Sequence, residues 1–342
     1  MISVKRFRAF YDHGVIIEYG EKRFIIDPLK RPSKPFNAVL ITHGHRDHVN
    51  PNAVRNVAPL IMSRETARVL NVRDGINPRY IEVTPGRELD VDDAIIEVHN
   101  AGHIIGSLSY VLDFGDLRVG VTGDFNVEPS VLLRGADALD VDVLIMETTY
   151  GDPNYVFPSR DFIYNELVGI VEEGVKDGIV LLMGQPLGRG QELTVLLRNY
   201  PIYVEPRIKV INNAVGIKYG RVLSGSPEPG SIIIMGMYGD PISMVKSLRS
   251  RYGAVRAVVL SGVYAKASRA AGLRAFGVEA LPLSSHSDFP RLLDFALNSN
   301  AKLIYTVYGN AARFAKYLRR AGVRGMVLPT AAQSTLDPFL KA

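Results

Sequence analysis

The chain has 342 residues, 47% hydrophobic and 22% charged, with a formal net charge of +5 and no cysteine. That length and balance fit about two folded domains and exclude a disordered or collagen-like chain. The missing cysteines exclude disulfides, thiolate nucleophiles, iron–sulfur clusters and cysteine zinc fingers, so any metal must be held by His, Asp or Glu.

The apolar runs at Ile179–Met183 and Ile232–Met235 fall far short of the roughly 18 to 20 residues that cross a bilayer. The start, Met1–Phe10, carries Lys5, Arg6 and Arg8 without the apolar block of a signal peptide. Both observations predict a cytoplasmic protein without a membrane partner. In chain order, apolar or alternating segments at Val15–Tyr19, Arg23–Ile26, Ala38–Thr42, Ile95–Val98, Ser109–Asp113, Arg118–Thr122 and Val141–Met146 predict strands. The connectors after them are rich in Gly, Pro, Asp and Asn, which places polar groups at strand ends, where sites are built.

From Asp161 the spacing predicts a helix to Lys176, a buried strand at Ile179–Met183 and a helix near Glu192–Arg198. Strands at Ser231–Met235 and Ala257–Leu260 alternate with helices at Pro241–Ser250 and Ser268–Phe276, the pattern of an α/β unit with its own sheet. A strand at Leu303–Val307, a helix near Ala311–Gly322 and a polar tail complete the chain. Residues 152–284 hold 15 Lys and Arg against 11 Asp and Glu, so the basic excess, which suits a polyanionic partner, sits in the middle.

The chemistry concentrates in Thr42-His43-Gly44-His45-Arg46-Asp47-His48, directly after a strand, where three of the seven histidines cluster with an aspartate. In an extended loop, alternate positions turn His43 and His45 to one point and Asp47 and His48 to a second, as two neighbouring metals require. This loop resembles the hallmark of the metallo-β-lactamase superfamily, and further motifs follow in that family's order: Asp27 in Ile-Ile-Asp-Pro, His103 in Gly-His-Ile-Ile-Gly-Ser, and Asp124 in Thr-Gly-Asp-Phe. The resemblance implies one metal on His43, His45, His103 and Asp124 and a second on Asp47, His48 and Asp124, with Asp27 bracing the loop. Imidazole with carboxylate suits zinc, with manganese or iron as alternatives.

Glu147-Thr-Thr-Tyr-Gly, Gly188-Arg189-Gly190-Gln191-Glu192 and Ser284-Ser-His286-Ser287-Asp resemble motifs of the β-CASP nucleases, including ligase-associated DNA exonucleases and archaeal RNA 3′-end processing factors. The implied architecture is α/β: an αββα metallo-β-lactamase sandwich from residues 1–151 and 285–342, with a smaller β-CASP domain inserted at 152–284. In that family the residue matching Glu147 pairs with the one matching His286, which protonates the leaving oxygen, an acid role that a carboxylate neighbour favours. Arg189, Gln191 and Ser287 are expected at the substrate.

One position departs from the RNA-processing pattern: Tyr308, in Val-Tyr-Gly-Asn, stands where those members carry a last metal-binding histidine. This predicts a weaker second metal and leans toward DNA. The reading is a two-metal nuclease acting on single-stranded DNA or RNA. Its rivals are a small-molecule hydrolase of thioesters or lactones on the same metal core, and a non-catalytic nucleic-acid-binding scaffold.

Overall fold

A computed structural model describes residues 7–57, 59–225 and 227–331; Lys5, Arg6 and the polar tail lie outside them. The chain divides into two compact units, the first from Met1–Val127, Gly135–Asp152 and Pro290–Ala342, the second from Glu128–Arg134 and Pro153–Phe289. The short segment Glu128–Arg134 thus belongs to the second unit, although the sequence places it among core residues.

The first unit opens with β1 (Phe7–Tyr11), β2 (Val15–Tyr19), β3 (Lys22–Ile26), β4 (Ala38–Leu40), β5 (Leu60–Met62) and β6 (Ile81–Glu82), which pair in chain order as one sheet. Helices α1 (Pro51–Val54) and α2 (Arg64–Asp74) fall between its later strands. A second sheet starts with β7 (Glu88–Val91), β8 (Ala94–Asn100), β9 (Leu108–Asp113), β10 (Arg118–Val121) and β11 (Val143–Glu147). It is completed, after the second unit, by strands at Leu303–Val307 and Gly325–Val327 that run parallel to β11 and to each other.

Alternation along the strands makes this a layered structure. Val15 and Ile17 of β2 with Phe24 and Ile26 of β3 share one core with Ile96, Tyr110, Leu112, Val119 and Ile145 of the second sheet. The intervening Ile16 and Ile25 point the other way, into a core with Val54, Ala67 and Leu70 of α1 and α2. Burial on both faces explains why β2 to β4 read as nearly continuous apolar runs. Ser63 caps α2 by accepting from the Thr66 N–H at 3.1 Å, and Gly75, at φ +66°, ends it in the left-handed conformation.

In the second unit, α3 (Arg160–Asp177) leads into β12 (Ile179–Gly184), α4 (Arg189–Leu196), β13 (Ile202–Val204), α5 (Pro206–Ala214), β14 (Arg221–Val222), β15 (Ile232–Gly236), α6 (Pro241–Tyr252), β16 (Val255–Leu260), α7 (Ala267–Arg274) and β17 (Val278–Leu281). The six strands form one parallel sheet in the order β14-β13-β15-β12-β16-β17. Val180 and Leu182 of β12 pack against Ile163, Leu167 and Val171 of α3, whereas Leu181 and Met183 pack beside Val245 of α6 and Ala270 and Leu273 of α7. Helices therefore cover both faces, as a parallel sheet requires.

The chain then returns to the first unit through α8 (Phe289–Leu297), β18 (Leu303–Val307), α9 (Ala311–Arg320) and β19 (Gly325–Val327). Buried Phe125 meets Phe295 of α8 with ring centroids 4.5 Å apart, and α9 packs on β18 and β19. The two sheets of the first unit thus have helices on their outer sides. β1, α2 and α8, like α1, β5, β6, β7, β13, α5, β14, β17 and β19, have no counterpart among the predicted elements; β1 carries Arg8 and α2 is largely polar, and burial of one face recruits these two.

Candidate metal centre

The polar side chains of the first unit gather where strands end. Asp27 follows β3 in the left-handed conformation, φ +54°, which a non-glycine residue adopts only when its surroundings hold it there. Three contacts do so: Oδ1 accepts from the Thr42 N–H at 2.7 Å, and Oδ2 lies 2.6 Å from Thr42 Oγ1 and 2.8 Å from His48 Nδ1. Asp27 is therefore hydrogen-bonded to both ends of the histidine loop.

Within that loop the N–H groups of His48 and Val49 donate to the His45 carbonyl at 3.2 and 3.0 Å. The backbone closes a turn here rather than staying extended. Consequently His43 and His48 are buried, whereas Asp47 lies on the exposed side of the turn.

His103 is delivered by the β8–β9 connection. Gly102 and Gly106 adopt φ +66° and +81°, and a Cβ on Gly106 would stand 2.5 Å from Glu65 Cβ, so the tight approach of this turn to α2 needs glycine. Ser107 Oγ accepts from the His103 and Ile104 N–H groups at 3.1 and 3.2 Å. Asp124 follows β10 by way of Gly123, whose φ of +57° swings the chain back over Thr42.

These elements bring four groups together. His43 Nε2 and His103 Nε2 lie 3.0 and 3.2 Å from His45 Nδ1, and Asp124 Oδ2 is 3.6 Å from His43 Nε2 and 3.7 Å from His103 Nε2. All four ligand atoms fall within 4.8 Å of one another. The other oxygen of Asp124, Oδ1, is 3.2 Å from His48 Nε2. One carboxylate thus faces two sets of imidazoles.

Electrostatics separates the sets. Burial, with His48 as a like-charged neighbour, pushes His43 well below 6.5, so it is neutral at pH 7 and keeps a lone pair free. For His48, burial works the same way but is overcome by Asp124 and Asp27, which hold it well above 6.5. A set of three imidazole nitrogens and one carboxylate oxygen, buried and convergent, suits a divalent cation of the zinc type.

Tyr308 follows β18 at φ +59°, and its ring meets His48 edge-on, centroids 5.1 Å apart. Burial, together with Asp27, Tyr11, Asp124 and Asp47, pushes its phenol well above 10, so it stays protonated. Glu147, 1% exposed at the end of β11, accepts from the Thr149 N–H at 2.7 Å. Asp27, Thr122, Glu147 and Tyr308 line a cavity of about 10 Å³, room for one water.

The remaining predicted residues lie in the second unit. His286 is partly exposed, its N–H donating to Ser284 Oγ at 3.0 Å, and Ser287 is buried. Arg189 and Gln191, expected at the substrate, are 4% and 1% exposed. Arg189 pairs with Glu192 and donates to the Leu283 carbonyl at 2.7 Å; Gln191 accepts from the Gly188 N–H at 2.7 Å and donates to Asn212 Oδ1 at 2.8 Å. Both side chains hold the second unit together, because α4 turns its first residues inward. Sequence reasoning also passes over Arg73 and Asp74 at the end of α2, which grip the histidine loop and belong to no motif.

A two-sheet sandwich whose strand ends gather three imidazoles and an aspartate has the donor set of a divalent-metal centre. Residues 10–156 match the family model described as the β-lactamase superfamily domain, and the chain carries motifs that resemble those of the β-CASP branch. It is 26% identical over 307 residues to a probable DNA ligase of Opitutus terrae, covering 86% of this chain and 29% of that protein. It is 26% identical to an RNase J-like protein of Methanocaldococcus jannaschii over 58% of this chain and 51% of the relative. To the RNase aCSPSF2 of Saccharolobus solfataricus it is 28% identical, over 57% and 46%. The chain thus spans about a third to a half of these relatives. A solved structure from Enterococcus faecalis shares the fold, with a TM-score of 0.60 at 13% identity over 89% of this chain and 94% of that one. Among the described residues no helix is long and apolar enough to cross a membrane.

Proposed function

We propose that this chain is a metal-dependent nuclease hydrolysing phosphodiester bonds of nucleic acid, with its second unit as the β-CASP insert. The observation that carries the reading is Asp124, with Oδ2 turned to His43 and His103 and Oδ1 to His48. His43, His45, His103 and Asp124 would hold one cation, zinc first, and Asp124 and His48, with Asp47, a second and weaker one. The chemistry a bound divalent cation supplies here is Lewis acidity, toward water and toward a phosphoryl oxygen.

The protein's own residues do the rest. Asp27 fixes the His48 ring through Nδ1 and leaves Nε2 directed at Asp124. Neutral His43 keeps its lone pair at pH 7, so the site needs no prior deprotonation there. Glu147 orients the groups at the end of β11, and His286 donates the proton to the departing oxygen, which lowers the cost of breaking the bond near neutrality. The alignment with the DNA ligase over most of this chain, together with Tyr308, favours DNA over RNA.

The test is product mapping on single-stranded DNA and RNA of one sequence, labelled at either end, with Zn²⁺ or Mn²⁺ and an Asp124→Asn control. Cleavage lost in the control supports the reading, and the preferred strand names the substrate. Hydrolysis of thioesters or lactones without nucleic-acid cleavage overturns it in favour of the small-molecule hydrolase; nucleic-acid binding by a chain that takes up no metal overturns it in favour of the scaffold.

A further inference from the structure

Arg46 stands inside the histidine loop, between two of its metal-ligand candidates, and its side chain is 71% exposed. An exposed arginine is ordinarily a mobile, solvated group. This one is tethered: Nη2 lies 2.9 Å from Asp74 Oδ1, and Asp74 is itself only 4% exposed. Among the described residues Asp74 is the sole partner of Arg46.

The tether is anchored in turn. Arg73 places Nε and Nη2 at 2.8 and 2.6 Å from Asp74 Oδ2, and its Nη1 donates to the Gly44 carbonyl of the loop. Arg73 has therefore spent its donors on Asp74 and the backbone, whereas Arg46 has used one nitrogen and keeps Nε and Nη1 available. Two guanidinium groups share the one carboxylate of Asp74, so these three side chains together carry one positive charge. A planar donor fork that is pre-positioned, partly unsatisfied and next to candidate metal ligands matches a phosphate oxygen pair better than any neutral group.

We propose that Arg46 is a phosphate-binding residue of the site, contacting the backbone of a bound nucleic acid, with Asp74 and Arg73 as positioning residues. The proposal rests on the nuclease reading and adds to it a contact that none of the metal-binding motifs requires. Asp74 fixes the fork, and Arg73 ties that carboxylate to the loop that carries His43 and His45. Without Asp74 the guanidinium keeps its charge but loses its orientation.

The experiment measures binding of a phosphorothioate single-stranded oligonucleotide across a salt series, for the wild-type protein and for Arg46→Ala, Arg46→Lys, Asp74→Asn and Arg55→Ala. Arg55 is an exposed residue of the same unit and controls for the loss of one charge. Bound metal is counted in every sample by elemental analysis. Arg46→Ala should weaken binding about tenfold at low salt and lower the slope of log K against log salt by about one, with metal content unchanged. Arg46→Lys should restore the slope but only part of the affinity, Asp74→Asn should lose affinity severalfold with the slope intact, and Arg55→Ala should change neither. A wild-type protein that binds and cleaves while Arg46→Ala keeps the full salt slope overturns the proposal and spares the nuclease reading. A wild-type protein that binds no oligonucleotide overturns both.

Discussion

His48 is held between two carboxylates, with Nδ1 2.8 Å from Asp27 Oδ2 and Nε2 3.2 Å from Asp124 Oδ1. The first contact decides what the second can do, because a ring anchored through Nδ1 has a single nitrogen left to face the site.

Asp27→Ala should therefore act on metal before it acts on anything else. It frees the His48 ring and leaves the buried Thr42 N–H without its acceptor. We expect metal affinity to fall about 10- to 100-fold and stability by about 1–3 kcal/mol. Competition with a chromogenic chelator measures the first, and urea unfolding of the metal-free protein the second; unaltered chelator competition would count against the brace.

Gly123 offers a purely geometric test. Its φ is +57°, and a Cβ there would sit 2.6 Å from Thr42 Cβ. Gly123→Ala should cost about 1–3 kcal/mol from backbone strain alone, and because Thr42 anchors Asp27 it should also reduce metal uptake. Calorimetry and elemental analysis on one preparation would reveal whether the two losses travel together.

The edge-on packing of Tyr308 against His48 predicts a poorly held second cation. Purified protein should retain one tightly bound metal, and Tyr308→His, which adds an imidazole nitrogen at that place, should raise retention toward two. Two tightly held metals in the unaltered protein would rule this out.

The second unit carries a pH dependence of its own. Burial would raise the Glu192 carboxyl, but Arg189 and Arg160 overcome it and hold the group below 4.5. A depressed carboxyl stabilises fully above its unfolded value and loses that contribution as the pH falls, so stability should decline below about 4.5. Glu192→Gln leaves two buried guanidinium groups short of charge and should cost about 3–5 kcal/mol at pH 7. In unfolding curves recorded from pH 7 downward, the gap between wild type and variant should narrow below pH 4.5; a constant gap would refute the assignment.

Much of this architecture is legible in the residues alone, where the pattern is local. The apolar runs of β2, β3 and Ile179–Met183 follow from strands buried on both faces, and the helical spacing from Asp161 to Lys176 follows from one face being buried. β1 and α2 are harder to see because Arg8 and the polar residues of α2 dilute the period, and only packing against partners remote in sequence selects those segments. The site divides the same way. Residues 43–48 announce metal chemistry because ligands of one loop sit side by side in the sequence, and His103 and Asp124 are recognisable through the glycines around them.

Arg189 and Gln191 show the opposite case. A glycine-flanked arginine at a helix start reads as a phosphate contact, yet the fold turns it inward to Glu192 and Leu283. Arg73 and Asp74 carry no signal, since their importance comes from touching Gly44 and Arg46, about 29 residues away along the chain. The sequence by itself determined the candidate donor types and their order, because donor chemistry belongs to the residue. Which oxygen of Asp124 faces which imidazole, and which arginine keeps free donors, was decided only by tertiary structure, because direction and burial belong to the packed chain.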